Sequence, residues 1–199
     1  MFADRDSLPY IVATVRETLR WRTLSPVAVP HLLTEDDWYE GYYIPKGTIC
    51  IANAWAMNRD PRIYGEDIDE FRPERFLAAD GSLKPLHPDT QQEGHASYGF
   101  GRRICVGRHV SNNSMYIDIA NMLWATWIEN APGAPMPDNV SMLDDGLVVY
   151  ASLFLCTHTL YTNFSFLYSR PVPFPCKITP RFPEVPEIVA RTKELTKDQ

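Results

Sequence analysis

Three observations predict a mainly α-helical fold with small β-sheets, of the α+β class. Apolar residues recur at helical spacing from residue 7 to 21 and again after residue 105. Between these stretches lie aromatic and β-branched runs bounded by turn signals, and a polar segment with Gly and Pro. At 199 residues and 45% hydrophobic composition the chain can build one substantial core. Its net charge of −6, with no long basic run, argues against nucleic acid as a partner. Cys50, Cys105, Cys156 and Cys176 are widely spaced, which points to reduced thiols rather than a disulfide framework. The opening MFADRDSLPY has neither the cationic nor the apolar region of a signal peptide or anchor.

Taken in order, the first helix is predicted from Ser7, with Asp6 or Ser7 as cap, Pro9 in the first turn and Ile11, Val12, Val15 and Leu19 as its stripe. Glu17 and Arg20, three residues apart, fall away from that stripe, where the residues alone give a solvated ion pair. Pro26 and Pro30 end the helix and extend the chain. Residues 42–54 read as a hairpin turning at Pro45-Lys46-Gly47, with Thr48, Ile49 and Ile51 on its second strand. Asn58-Arg59-Asp60-Pro61 is a turn signal, and residues 77–97 read as a meandering loop. His87 and His95 in that loop have no acid or Cys partner for a zinc site. Val106, Val110, Ile117, Ala120, Leu123, Trp124, Trp127 and Ile128 fit a long amphipathic helix, with both tryptophans as core. The tail, residues 171–199, is Pro-rich and reads as extended chain, with a short polar helix near Val189 to Leu195.

The chemistry concentrates in Tyr98 to Gly107, YGFGRRICVG. Gly99, Gly101 and Gly107 let the backbone approach a flat object, and the following helix offers unpaired N–H groups and the positive end of its dipole. A cysteine in that field is biased toward thiolate, the metal-binding form, while Arg102 and Arg103 suit paired carboxylates. For an isolated cysteine, a buried structural thiol ahead of a helix would be the leading reading.

The stretch resembles the haem-binding loop of the cytochrome P-450 family, Phe-x-x-Gly-x-Arg-x-Cys-x-Gly. Gly101, Arg103, Cys105 and Gly107 fill the pattern, and Tyr98 stands where the family has Phe. The order IPKGT, NAWAMNRDP and FRPERF extends the resemblance over residues 7–149 and brings it close to filamentous-fungal members. It implies Cys105 as the axial thiolate on haem iron, donating electron density that favours O–O cleavage, with Tyr98, Gly99, Gly101, Arg103 and Gly107 around the cofactor. It makes Glu17, Arg20 and Arg75 a buried structural triad. It has Val27, Ala28 and Val29 lining a substrate pocket and His31 near a propionate, although a lone His is as often a surface residue. The implied activity is monooxygenation of a small apolar organic substrate with O₂, using electrons from an NADPH-dependent reductase. The chain itself carries no nicotinamide or flavin signature. The resemblance covers the last third of a full-length member, so the expectation is one partial domain, without the anchor that holds such proteins at the endoplasmic reticulum and otherwise cytoplasmic. An inactive truncated product, or a haem-binding sensor or carrier, would carry the same loop.

Between Gly146 and Ser169 there is no Asp, Glu, Lys or Arg. A membrane span is diluted by Thr, Asn, Ser and His, and a buried hairpin fits the Tyr, Phe and Thr content. The third reading is that residues 150–169 are a translated, retained intron. Without them the chain runs from DDGLVV directly into RPVPFPCKITPR, which resembles the family's C-terminal hairpin, and the codons permit donor, branch and acceptor sites in frame.

Overall fold

The structure is a computed structural model that describes residues 4–135, 142–144, 169–171 and 173–197. It combines helices with four two-stranded antiparallel sheets, the mixed α+β class that the periodicities predict. Helix α1, Pro9–Trp21, is its centre. Pro9 occupies the first turn, where its missing N–H is not needed, and no side chain caps the helix; Asp6 and Ser7 instead belong to a short 3₁₀ turn, Arg5–Ser7. On one side Val12 and Val15 pack with Tyr116 of α4, Arg108–Ala125. On the other, Ala13 packs with Tyr64 and Phe76 from the irregular chain that follows. An α1 covered on both sides has no solvent face for Glu17 and Arg20, and both are fully buried. This corrects the solvated pair that spacing alone gave.

The Glu17 carboxylate accepts from Arg20 Nε and Nη2 at 2.7 and 2.8 Å, from Arg75 Nε at 3.0 Å and from the Arg72 backbone N–H at 2.8 Å. Arg20 uses its remaining donors on the carbonyls of Asn58, Ile68 and Glu70. Arg75 uses its own on the carbonyls of Tyr64, Asp67 and Glu70 and on Asp67 Oδ1. Every N–H of both guanidinium groups is thereby engaged, the condition under which buried charge is tolerated.

The strand region departs from the predicted hairpin. Strand β2, Asp37–Tyr39, pairs with β3, Tyr42–Ile44, around Glu40 and Gly41, both at positive φ as a two-residue hairpin requires. The Pro45–Gly47 turn is present, with Thr48 N–H donating to the Pro45 carbonyl, but it delivers β4, Ile49–Cys50, to β1, His31–Leu32. The Glu-Gly pair was the missed turn signal. Short helices α2, Ala54–Met57, and α3, Pro61–Tyr64, follow, capped by Asn53 and Asp60.

Helix α4 is shorter than the predicted amphipathic run. It ends at Ala125, and Trp127 and Ile128 lie on β5, Thr126–Asn130, whose five residues pair with β8, Cys176–Pro180. Cross-strand pairing of Thr, Trp and Ile outweighs helical spacing there. Trp124 and Trp127 are half exposed rather than core; the Phe182 ring meets Trp124 edge-on and the Arg181 guanidinium covers Trp127 at 3.9 Å. Strands β6, Met142–Asp144, and β7, Ser169–Pro171, form the fourth sheet. The Pro-rich tail therefore holds a strand and the helix α5, Val185–Lys197, which is longer than the short polar helix predicted near Val189 to Leu195. The suspected insertion lies, apart from Ser169, outside the described residues.

Replacing Glu17 with Ala strands two buried guanidinium groups. Urea unfolding of the variant is expected to show a loss of about 3–5 kcal/mol relative to the parent chain.

Candidate functional site

The chain reaches the cysteine from a buried anchor. Asn58, fully buried, donates from Nδ2 to Thr23 Oγ1 and Ser97 Oγ at 2.6 and 2.9 Å, and its Oδ1 accepts from the Ala96 N–H at 2.7 Å. Ser97 in turn donates to the Leu19 carbonyl near the end of α1. Sequence reading took Asn58 only as a turn residue. A side-chain amide followed by an Asp-Pro turn was its only signal.

From Tyr98 the backbone turns sharply. Gly99 and Gly101 both have positive φ, and a Cβ at either would meet nothing within 4 Å, so both present open backbone. Gly107 differs: its φ is −82°, it caps α4, and a Cβ there would sit 3.9 Å from Cys105 Sγ. Its place against the sulfur, rather than a special backbone, distinguishes it from the other two. A 3₁₀ turn, Gly101–Arg103, leads to Cys105, whose N–H donates to the Tyr98 carbonyl at 2.8 Å. Cys105 is exposed and reduced, so the buried structural thiol is ruled out as its environment. Arg102, Arg103 and Val106 are also exposed, Val106 at 94%. Among the described residues neither Arg102 nor Arg103 has an ion pair. A lone, accessible, soft sulfur donor beside open glycine backbone and uncommitted guanidinium groups fits a flat, anionic, iron-bearing macrocycle.

The other expected residues lie elsewhere in the fold. His31 is exposed on β1, opposite Cys50. Val27 and Ala28 are half-buried and Val29 exposed; the Ala28 N–H donates to the Ala52 carbonyl at 2.9 Å. Among the described residues no hydrogen bond or ring contact joins this segment to the cysteine turn. Glu17, Arg20 and Arg75 meet one another, and among the described residues none of their hydrogen bonds reaches the cysteine turn. No group of His, Cys, Asp and Glu among the described residues could hold a metal ion by itself.

Two neighbours gain roles beyond the sequence reading, which left Glu93 unmentioned and named His95 only as lacking a zinc partner. His95 is 3% exposed, its Nδ1 accepts from the Ser97 N–H at 3.1 Å, and its ring meets Tyr98 edge-on at 4.9 Å. Burial, reinforced by the Arg16 charge, lowers its pKa to about 3. Glu93 pairs with Arg108 at 3.1 Å, on the first turn of α4. Burial also raises the Tyr98 phenol above its ordinary range, which keeps it a hydrogen donor.

The profile described as cytochrome P-450 matches residues 1–149. The chain belongs to the cytochrome P-450 family. It is 53% identical over 198 residues to a cytochrome P-450 monooxygenase of Armillaria gallica, covering 98% of this chain and 34% of that protein. It is 49% identical over 194 residues to cytochrome P-450 monooxygenase 58 of Postia placenta, covering 95% and 32%. With cytochrome P-450 monooxygenase iboC of Amanita muscaria the identity is 37% over 243 residues, covering 98% and 40%. The chain thus spans about a third of the length of the curated cytochrome P-450 relatives named first. Haem is the cofactor of the family generally. No helix among the described residues is long and apolar enough to cross a membrane.

Because the folded pKa of His95 lies below the unfolded value of about 6.5, the unfolded chain binds the extra proton between those two values. Stability is therefore complete above pH 6.5 and falls as the pH drops toward 3. Between pH 6 and 4 the parent is expected to lose about 1.4 kcal/mol more per pH unit than a His95→Gln variant, read from urea midpoints at each pH.

Proposed function

We propose that this chain is the haem-thiolate portion of a monooxygenase that oxidises a small apolar organic substrate with O₂. The observation that carries the reading is Cys105: an accessible thiol between the Gly101–Arg103 turn and the N-terminus of α4, inside the family match. Its thiolate would hold the haem iron. Gly99 and Gly101 would leave room for the macrocycle, Tyr98 and Gly107 would flank the ligand, and Arg103 and His31 would pair with the propionates. Val27, Ala28 and Val29 contribute to the substrate wall. Bound haem supplies oxygen activation and insertion; the protein holds the sulfur, neutralises the propionates and keeps an apolar side toward substrate. An NADPH-dependent reductase supplies electrons, and the location is the endoplasmic reticulum membrane surface.

We further infer that residues 150–169 interrupt the domain as a retained intron. In support, the family match stops at residue 149, whereas the similarity to the Armillaria protein spans 98% of the chain. Long-read sequencing of transcripts is expected to show the abundant message without these codons. A dominant message that keeps them overturns the reading.

The decisive test of the haem reading is the ferrous carbon-monoxide difference spectrum of the purified chain supplied with haem. A red-shifted, thiolate-type Soret band is expected, and Cys105→Ala is expected to abolish it. A haem band that the substitution leaves unchanged would assign the ligand elsewhere.

A further inference from the structure

Tyr98 is where the cysteine loop departs from the family pattern, and its hydroxyl takes part in a closed circuit that a phenyl ring could not complete. The hydroxyl donates to Asn112 Oδ1 at 2.8 Å, and Asn112 Nδ2 donates to Glu93 Oε2 at 3.0 Å. The other Glu93 oxygen forms an ion pair with Arg108 Nε at 3.1 Å. Arg108 returns to the Cys105 carbonyl through its backbone N–H at 3.3 Å, with Nη1 at 3.4 Å from the same oxygen. The Cys105 N–H closes the circuit on the Tyr98 carbonyl at 2.8 Å. Three separate pieces of chain are joined: the end of the meander, the cysteine turn and the first turn and a half of α4.

Each member is committed in both directions. Asn112 uses its oxygen and its nitrogen, Glu93 uses both oxygens, and the side chains of Tyr98, Asn112, Glu93 and Arg108 are all partly buried. Hydrogen bonds and an ion pair arranged in this way support one another and fix a single geometry. The aromatic ring meanwhile keeps its edge contact with His95, so the ring and the hydroxyl have separate tasks.

We propose that Tyr98 is a positioning residue, whose hydroxyl fixes the Cys105 backbone to the start of α4 through Asn112, Glu93 and Arg108. Its consequence for the sulfur rests on the haem-thiolate reading; the circuit itself is a property of the chain without cofactor. An exposed thiol at the tip of a glycine turn would otherwise sample many positions, and the circuit narrows them.

The test is hydrogen–deuterium exchange on the full chain without haem, comparing the parent, Tyr98→Phe, Asn112→Ala and the double variant. Exchange in residues 99–107 is expected to quicken about fivefold in each single variant, the equilibrium equivalent of one net hydrogen bond. The double variant is expected to match the singles, because the circuit acts as a unit. Residues 9–21 are expected to be unchanged. No quickening in 99–107, or equal quickening in 9–21 in both single variants, overturns the proposal. With haem added, Tyr98→Phe is expected to lower the thiolate-type fraction of the carbon-monoxide band at constant haem content. If the parent takes up no haem, the haem-thiolate reading fails while the exchange result still decides the circuit.

Discussion

A single carboxylate, that of Glu17, is shared by two guanidinium groups in a place water does not reach. Around it lies chain with little regular structure. The carbonyls of Asn58, Tyr64, Asp67, Ile68 and Glu70 have no strand or long helix to satisfy them, and Arg20 and Arg75 supply the donors. A loop can be folded under α1 only if its backbone is satisfied there, and Glu17 neutralises the cations that satisfy it. Asp67, 3.2 Å from Arg75 and 2.8 Å from Arg72, adds a second carboxylate at the edge of the cluster.

The dependence runs outward from that cluster to the sulfur. Asn58 gives its carbonyl to Arg20 and its side chain to Ala96 and Ser97, the two residues before Tyr98. Tyr98 accepts from the Cys105 N–H through its carbonyl and reaches α4 through its hydroxyl. The cysteine is thus accessible at its sulfur and held at its backbone, a combination suited to a metal ligand whose position must not drift. Neutral His95 under the loop adds packing without charge, and Val106 leaves an apolar surface beside the cations of Arg102 and Arg103.

Local signals were legible wherever a short stretch decides its own conformation. The place of Pro9 in the first turn of α1, the end of that helix before Pro26, the turn at Pro45–Gly47 and the glycine turn before Cys105 follow from side-chain sterics and spacing, whereas the predicted Asp6 or Ser7 cap does not form. The misreadings share one cause. Glu40-Gly41 can turn a hairpin, and Trp127 and Ile128 can serve helix or strand; pairing with a partner distant in sequence decides both cases. Glu17 and Arg20 were assigned to solvent by periodicity because a helix pattern does not reveal that a second layer will cover the polar face.

The sequence by itself determined the family and the α+β class, because a spaced motif of Gly, Arg and Cys and the local periodicities are written in short stretches of chain. Only the tertiary structure decided which charges are buried, which strands pair and what holds the cysteine turn. Asn58, Glu93, His95 and Asn112 are ordinary polar residues until the fold sets each within about 3 Å of its partner, and hydrogen bonds between residues so far apart in sequence leave no periodic trace in it.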